Sequence, residues 1–124
     1  MVNMEDMSRP STSAHQKPVT LINVFEVPAE QVENFITQWR KRAAIMSNAP
    51  GFRDSRLHRA MSPQARFQLV NVAHWDSCEV WQAATSNPEF QARIRALDED
   101  PRMQFSANPA LYRGIVSFGD QAPA

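Results

Sequence analysis

Apolar and polar positions along the chain change period several times, and each change marks an element. From Pro18 to Val27 the residues P-V-T-L-I-N-V-F-E-V are β-branched or aromatic and nearly continuous in apolar character, which predicts a strand covered on both faces. Asn23 is the polar interruption in its interior. Pro28 opens a helix, with Glu30 and Glu33 in the early turns where the helix dipole favours anions. Val32, Phe35, Ile36, Trp39, Ala43 and Met46 then recur at helical spacing as one buried stripe, and the helix ends near Asn48, before Pro50-Gly51.

Phe52 to Ala60 and Arg66 to Trp75 read as a hairpin of two strands around the turn Ser62-Pro63-Gln64. Asp76-Ser77-Cys78-Glu79 has the pattern of a capping box, so a second helix begins there. Ser86-Asn87-Pro88 restarts that helix, and Asp98-Glu99-Asp100-Pro101 stops it. Ala110 to Phe118 is expected to supply the last strand. The order β-α-β-β-α-β predicts an α+β, ferredoxin-like fold: a four-stranded antiparallel sheet with helices on one face. Bulky apolar residues on both sheet faces predict that a second copy covers the bare face, so a homodimer closing the two sheets into an α/β barrel is expected.

Composition narrows the picture. At 124 residues the chain is one domain, with 13 basic and 13 acidic side chains and a formal net charge of zero. That balance offers no electrostatic footprint for nucleic acid. One cysteine makes neither an internal disulfide nor a cysteine-based zinc site. Residues 1–17 lack an apolar run and read as a flexible N-terminal tail, 18–118 as the folded domain and 119–124 as a C-terminal tail. With no signal-like or membrane-spanning segment evident, a cytoplasmic protein without a membrane partner is expected.

No glycine-rich phosphate loop, G-x-S-x-G elbow, H-E-x-x-H or dinucleotide fingerprint occurs, and the three histidines, at 15, 58 and 74, form no compact metal motif. What remains is polar residues inside apolar strands. Period-2 alternation puts Phe67, Leu69, Asn71, Ala73 and Trp75 on one face of the third strand and His74 on the other, while Asn23 shares a face with Leu21, Phe25 and Val27. If both faces look toward the helices, Asn23, Asn71 and Trp75 meet on one cavity, with Phe25, Leu69 and Trp81 as further wall. A buried amide without a partner costs about 1–3 kcal/mol, so two asparagines there call for a reason, structural or functional. His58, in R-L-H-R, is the histidine placed to serve as a base near neutral pH. Trp39 reads as core and Cys78 as packing.

The stretches V-T-L-I-N-V-F-E-V-P, A-P-G-F-R-D-S-R-L-H-R, F-Q-L-V-N-V-A-H-W, S-N-P-E-F and N-P-A-L-Y-R resemble the antibiotic biosynthesis monooxygenase family, over about Val19 to Val116. In that family's cofactor-independent members, which turn anthrones into quinones, a first-strand asparagine and the third-strand N-x-x-x-W line the substrate cavity. Asn23, Asn71 and Trp75 match those positions. The resemblance implies an oxygenase using O₂ as co-substrate, with neither metal nor prosthetic group, acting on a small electron-rich aromatic. The superfamily's haem-degrading members imply the alternative of haem as cofactor, but their haem-ligating histidine stands on the second helix, and this sequence has no histidine from Asp76 onward. A small-metabolite isomerase or a binding protein is the third reading.

Overall fold

The computed structural model of the protein describes residues 16–119. The first strand, β1 (Val19–Glu26), is central. It pairs antiparallel with β3 (Leu69–Trp75) on one side and β4 (Ser106–Tyr112) on the other, and β3 in turn pairs with β2 (Phe52–Arg59). The strand order is therefore β2-β3-β1-β4. After one 3₁₀ turn at Ala29–Gln31, helix α1 runs over Val32–Met46; α2 (Cys78–Thr85) and α3 (Pro88–Asp98) follow β3. This is the expected ferredoxin-like arrangement, with the second helix broken into two.

Alternation along β3 is strict: Leu69, Asn71, Ala73 and Trp75 are buried and the residues between them are not. The buried face meets the helices in two clusters. Phe25, Val27, Val32, Phe35, Leu69, Leu97 and Met103 form one, with the Phe25 and Phe35 ring centroids 4.9 Å apart. Ala73, Trp75 and Ala84 form the other, joined by Phe52, whose ring meets the Trp75 indole edge-on at 5.2 Å. Phe25 and Leu69 are each 1% exposed, and emptying a fully buried Phe or Leu site costs about 2–5 kcal/mol. Arg42 on α1 is also buried, its guanidinium 5.4 Å from the Phe35 ring centroid. Burial pushes its pKa down to about 10 against the attraction of Asp98, which leaves it charged at neutral pH.

Local chemistry explains the breaks. Gly51, at φ +86°, turns the chain from α1 into β2 in a region closed to most side chains. Ser77 caps α2 by accepting the Val80 N–H, and Asn87 caps α3 by accepting from Glu89 and Phe90, with Pro88 in the first turn. Glu79 lies within the first turn of α2, so the expected box is a single Ser77 cap.

Two strand boundaries differ from expectation. β3 begins at Leu69 rather than Arg66, because the Gln68 side chain turns back to donate to the carbonyls of Ser62 and Ala65 and shapes the hairpin loop. β4 spans Ser106–Tyr112, not Ala110–Phe118. Ser106 lies opposite Glu26 and Tyr112 opposite Thr20, which uses nearly the whole length of β1 and leaves 113–118 without a strand to pair with. Pro109, which has no N–H, is tolerated because β4 is an edge strand. Apart from 16, 17 and 119, the two expected tails lie outside the described residues.

Candidate active site

The same alternation that builds the core leaves a cavity of about 90 Å³ between the sheet and the three helices. Asn23 and Asn71 are direct cross-strand partners on β1 and β3, and both line it, as do Trp75 and Trp81. The α1 stripe divides here: Phe35 serves the core, whereas Trp39, Ala43 and Met46, one, two and three turns on, line the cavity. Thr85 from α2, Phe90 from α3 and Leu21, Phe52, Ser55 and Ala73 from the sheet close the remaining wall.

The polar groups are arranged with one sign. Asn23 accepts the Asn108 N–H through Oδ1 at 2.9 Å; a backbone N–H only donates, so the Asn23 amide presents its Nδ2 hydrogens away from it. Asn71, 8% exposed, accepts the Ser55 hydroxyl through Oδ1 at 2.7 Å. Among the described residues neither Nδ2 has a hydrogen-bond partner. The Trp75 indole is 2% exposed, and its Nε1 is buried with no acceptor in reach among the described residues. An orphaned buried donor is uncommon, since it forfeits about 1–3 kcal/mol of solvation. The lining holds no Asp, Glu, His, Cys, Lys, Arg or Tyr. Its polar lining is therefore two asparagine amides, the Trp75 indole and the Ser55 and Thr85 hydroxyls, in an otherwise apolar, aromatic box with no titratable group.

Of the residues expected at the site, Asn23, Asn71, Trp75 and Trp81 share this cavity. Phe25 and Leu69 do not: they lie further along the same sheet face, sealed in the first core cluster. His58 is not brought to the cavity either. It is exposed and pairs across the ladder with Val70, on the sheet face away from Asn71, because its neighbour Leu57 takes the inward position. His74 lies on that outer face as expected, its Nδ1 2.6 Å from Asp54 Oδ1. Ser55, Trp39, Met46 and Phe90 were not anticipated. Counting two back from Leu57 marks Ser55 as inward, but β2 is so polar that nothing singles it out; Trp39 carries no signal separating cavity wall from core.

Outside the cavity, an open groove of about 920 Å³ runs between the end of α1 and the α2–α3 junction, past Ala49, Ala83, Asn87 and Pro88. Met46 lines both spaces and stands as the wall between them. Among the described residues no group of three or more His, Cys, Asp or Glu side chains is placed to hold a metal ion, and no helix is long and apolar enough to cross a membrane.

Known proteins resemble this chain in sequence and in fold. The heme oxygenase (mycobilin-producing) of Mycobacterium tuberculosis is 35% identical over 75 residues, covering 60% of this chain and 70% of that protein. The structure of a candidate monooxygenase from Shewanella loihica PV-4 is 38% identical with a TM-score of 0.67, covering 82% of this chain and 97% of the other. SnoaB of Streptomyces nogalater, described as a cofactor-independent oxygenase, shares the fold at 24% identity and a TM-score of 0.67, over 84% of this chain and 99% of its own. The family model for antibiotic biosynthesis monooxygenases matches residues 18–96, and the chain belongs to that family.

Proposed function

We propose that the protein is an oxygenase without a prosthetic group, which oxidises an electron-rich phenol or anthrone-type aromatic to a quinone with O₂. The observation that carries this reading is the orphaned Trp75 Nε1 together with two asparagine amides whose Nδ2 groups have no partner among the described residues, all on the wall of one apolar cavity. Such a wall suits a ligand that brings acceptor oxygens, most of all one that carries or develops negative charge.

The chemistry then resides in the substrate. The ring, deprotonated to its enolate or phenolate, passes one electron to O₂. Recombination of the two radicals forms a carbon–oxygen bond and, after protonation, a hydroperoxide; loss of water gives the carbonyl. Asn23 and Asn71 donate to the substrate's anionic oxygen, and the Trp75 N–H donates to the oxygen derived from O₂. Apolar walls exclude water and strengthen these hydrogen bonds. With His58 on the far face, no lining residue takes the substrate's proton, so the ring enters already ionised. A fused tricycle needs more than 90 Å³, and entry requires the α1 end to part from α2–α3 at Met46, toward the groove.

Haem, implied by the M. tuberculosis relative, does not fit this wall. No imidazole, thiolate or phenolate lines the cavity, and α2 and α3 carry no histidine. In keeping with the two-faced sheet, the working unit is proposed to be a homodimer.

The test is O₂ uptake by chelator-treated protein with dithranol, against a no-enzyme control. Uptake above autoxidation that falls at least tenfold in folded Asn71→Ala supports the reading; uptake equal to the control, or equal in the variant, sinks it. A Soret band appearing on stoichiometric haem titration would favour the haem alternative instead.

A further inference from the structure

The two amides are held in very different ways. Asn23 is oriented by a backbone N–H, a partner that cannot be reversed. Asn71 is oriented by one side chain, Ser55, which stands two residue pairs away along the β2–β3 ladder, on the same face: Ser55 lies opposite Ala73 and Leu57 opposite Asn71. The β2 register shifts between Phe52 and Asp54, and this irregularity lets both Phe52 and Ser55 face the cavity. The one hydrogen bond of the Ser55 hydroxyl among the described residues is the 2.7 Å donation to Asn71 Oδ1.

We propose that Ser55 is a positioning residue that sets the polarity of the cavity by holding the Asn71 amide with its donor side inward. The two ends of an amide are nearly the same size but opposite in hydrogen-bonding sense. A half-turn of the Asn71 side chain would therefore cost little in packing, and the Ser55 oxygen could accept from the turned Nδ2, but the Ser55 O–H would lose the one acceptor it has among the described residues and a carbonyl oxygen would face the ligand. Two donors facing an oxyanion would become one donor and one repelling acceptor. This inference rests on the oxyanion reading above; Ser55 acts through Asn71 and touches no reacting atom.

Two measurements test it, the first independent of catalysis. In ¹⁵N-labelled protein, the Asn71 side-chain amide pair is assigned by its disappearance in Asn71→Ala. It is expected as a single sharp pair in the wild type and in Ser55→Thr, which keeps the hydroxyl, and as a doubled or exchange-broadened pair in Ser55→Ala. An unmoved, equally sharp pair in Ser55→Ala overturns the proposal. The second is a double-mutant cycle on O₂ uptake. Ser55→Ala is expected to lower kcat roughly ten- to hundredfold with KM little changed, Ser55→Thr to restore it, and Ser55→Ala to add no further loss to Asn71→Ala. The same loss in both backgrounds would show that Ser55 acts independently of Asn71 and would overturn the assignment. If no variant or wild type consumes O₂, the oxygenase reading falls, and the amide spectra still decide whether Ser55 orients Asn71.

Discussion

At the scale of single residues, the cavity separates stability from function at Trp75. The indole ring packs edge-on against Phe52 and is 2% exposed, while its N–H has no acceptor. A residue kept for structure alone would do better without that N–H. Trp75→Phe should therefore hold or slightly raise the melting temperature, since relief of an orphaned donor worth about 1–3 kcal/mol offsets the packing lost with the smaller ring. Its O₂ uptake should fall by about 10²–10³ if the N–H stabilises developing charge. Thermal melts and uptake on the same sample check this, and a variant that loses stability but keeps its turnover would make Trp75 structural. A base-free cavity has a second consequence. The activity should rise with pH through the pKa of the substrate and then level off, because only the ionised ring enters. Comparing two phenolic substrates of different acidity should shift the midpoint of kcat/KM by the difference between them; a midpoint common to both would reveal an enzyme group and contradict the proposed ionised entry. The sequence pointed to Asn23, Asn71 and Trp75 because asparagine is out of place in an apolar strand and period 2 is unambiguous there. It did not reveal Ser55, whose strand is polar on both faces, nor show that His58 points away, since the inward position of Leu57 is settled by packing under α1.

At the scale of elements, the site depends on how α1 hands the chain to β2 and how α2 rests on that junction. Gly51 makes the turn with a positive φ, its carbonyl accepts the Asp76 N–H at 2.8 Å, and a Cβ placed on it would lie 2.4 Å from Val80 Cγ2 on α2. Gly51→Ala meets both the left-handed backbone and that clash, so destabilisation of roughly 2–4 kcal/mol is expected, read as a lowered urea midpoint. A neutral effect would mean that α2 is free to retreat from the turn. Elements with a strong period or a chemically defined break, such as β1, α1 and the helix restart at Ser86-Asn87-Pro88, were legible in the sequence, whereas the cap of α2 falls on Ser77 in place of the expected box. The last strand was not. R-G-I-V-S-F looks more strand-like than S-A-N-P, but pairing is decided by the partner's length, and β1 ends its ladder at Thr20 opposite Tyr112.

At the scale of the whole molecule, the described residues cover the sheet on one side only. Ile22, Val24, Val70 and Val72 form the middle of the outer face and are incompletely buried in the single chain, with Asp54, Arg56, His58 and His74 toward the β2 edge. Ile115, Val116 and Phe118, which are 91%, 70% and 81% exposed, add apolar surface beyond β4. A two-layer domain leaves such a face to water at a cost of about 25 cal/mol for each Å² of apolar area, so a second sheet is the partner whose twist and pattern match it. Sedimentation equilibrium at micromolar concentration should accordingly give twice the 14.1 kDa chain mass. Val72→Glu puts a carboxylate at the centre of that face, beside Ile22 in the β1–β3 register, and should return the mass to that of one chain while far-ultraviolet circular dichroism stays unchanged. Because Val72 points away from the cavity, the monomer should still bind a phenolate, and whether it also turns over would tell if the second copy does more than cover the sheet. A wild-type chain that sediments as a monomer would leave the outer face without an explanation from self-association, and the homodimer would have to be abandoned.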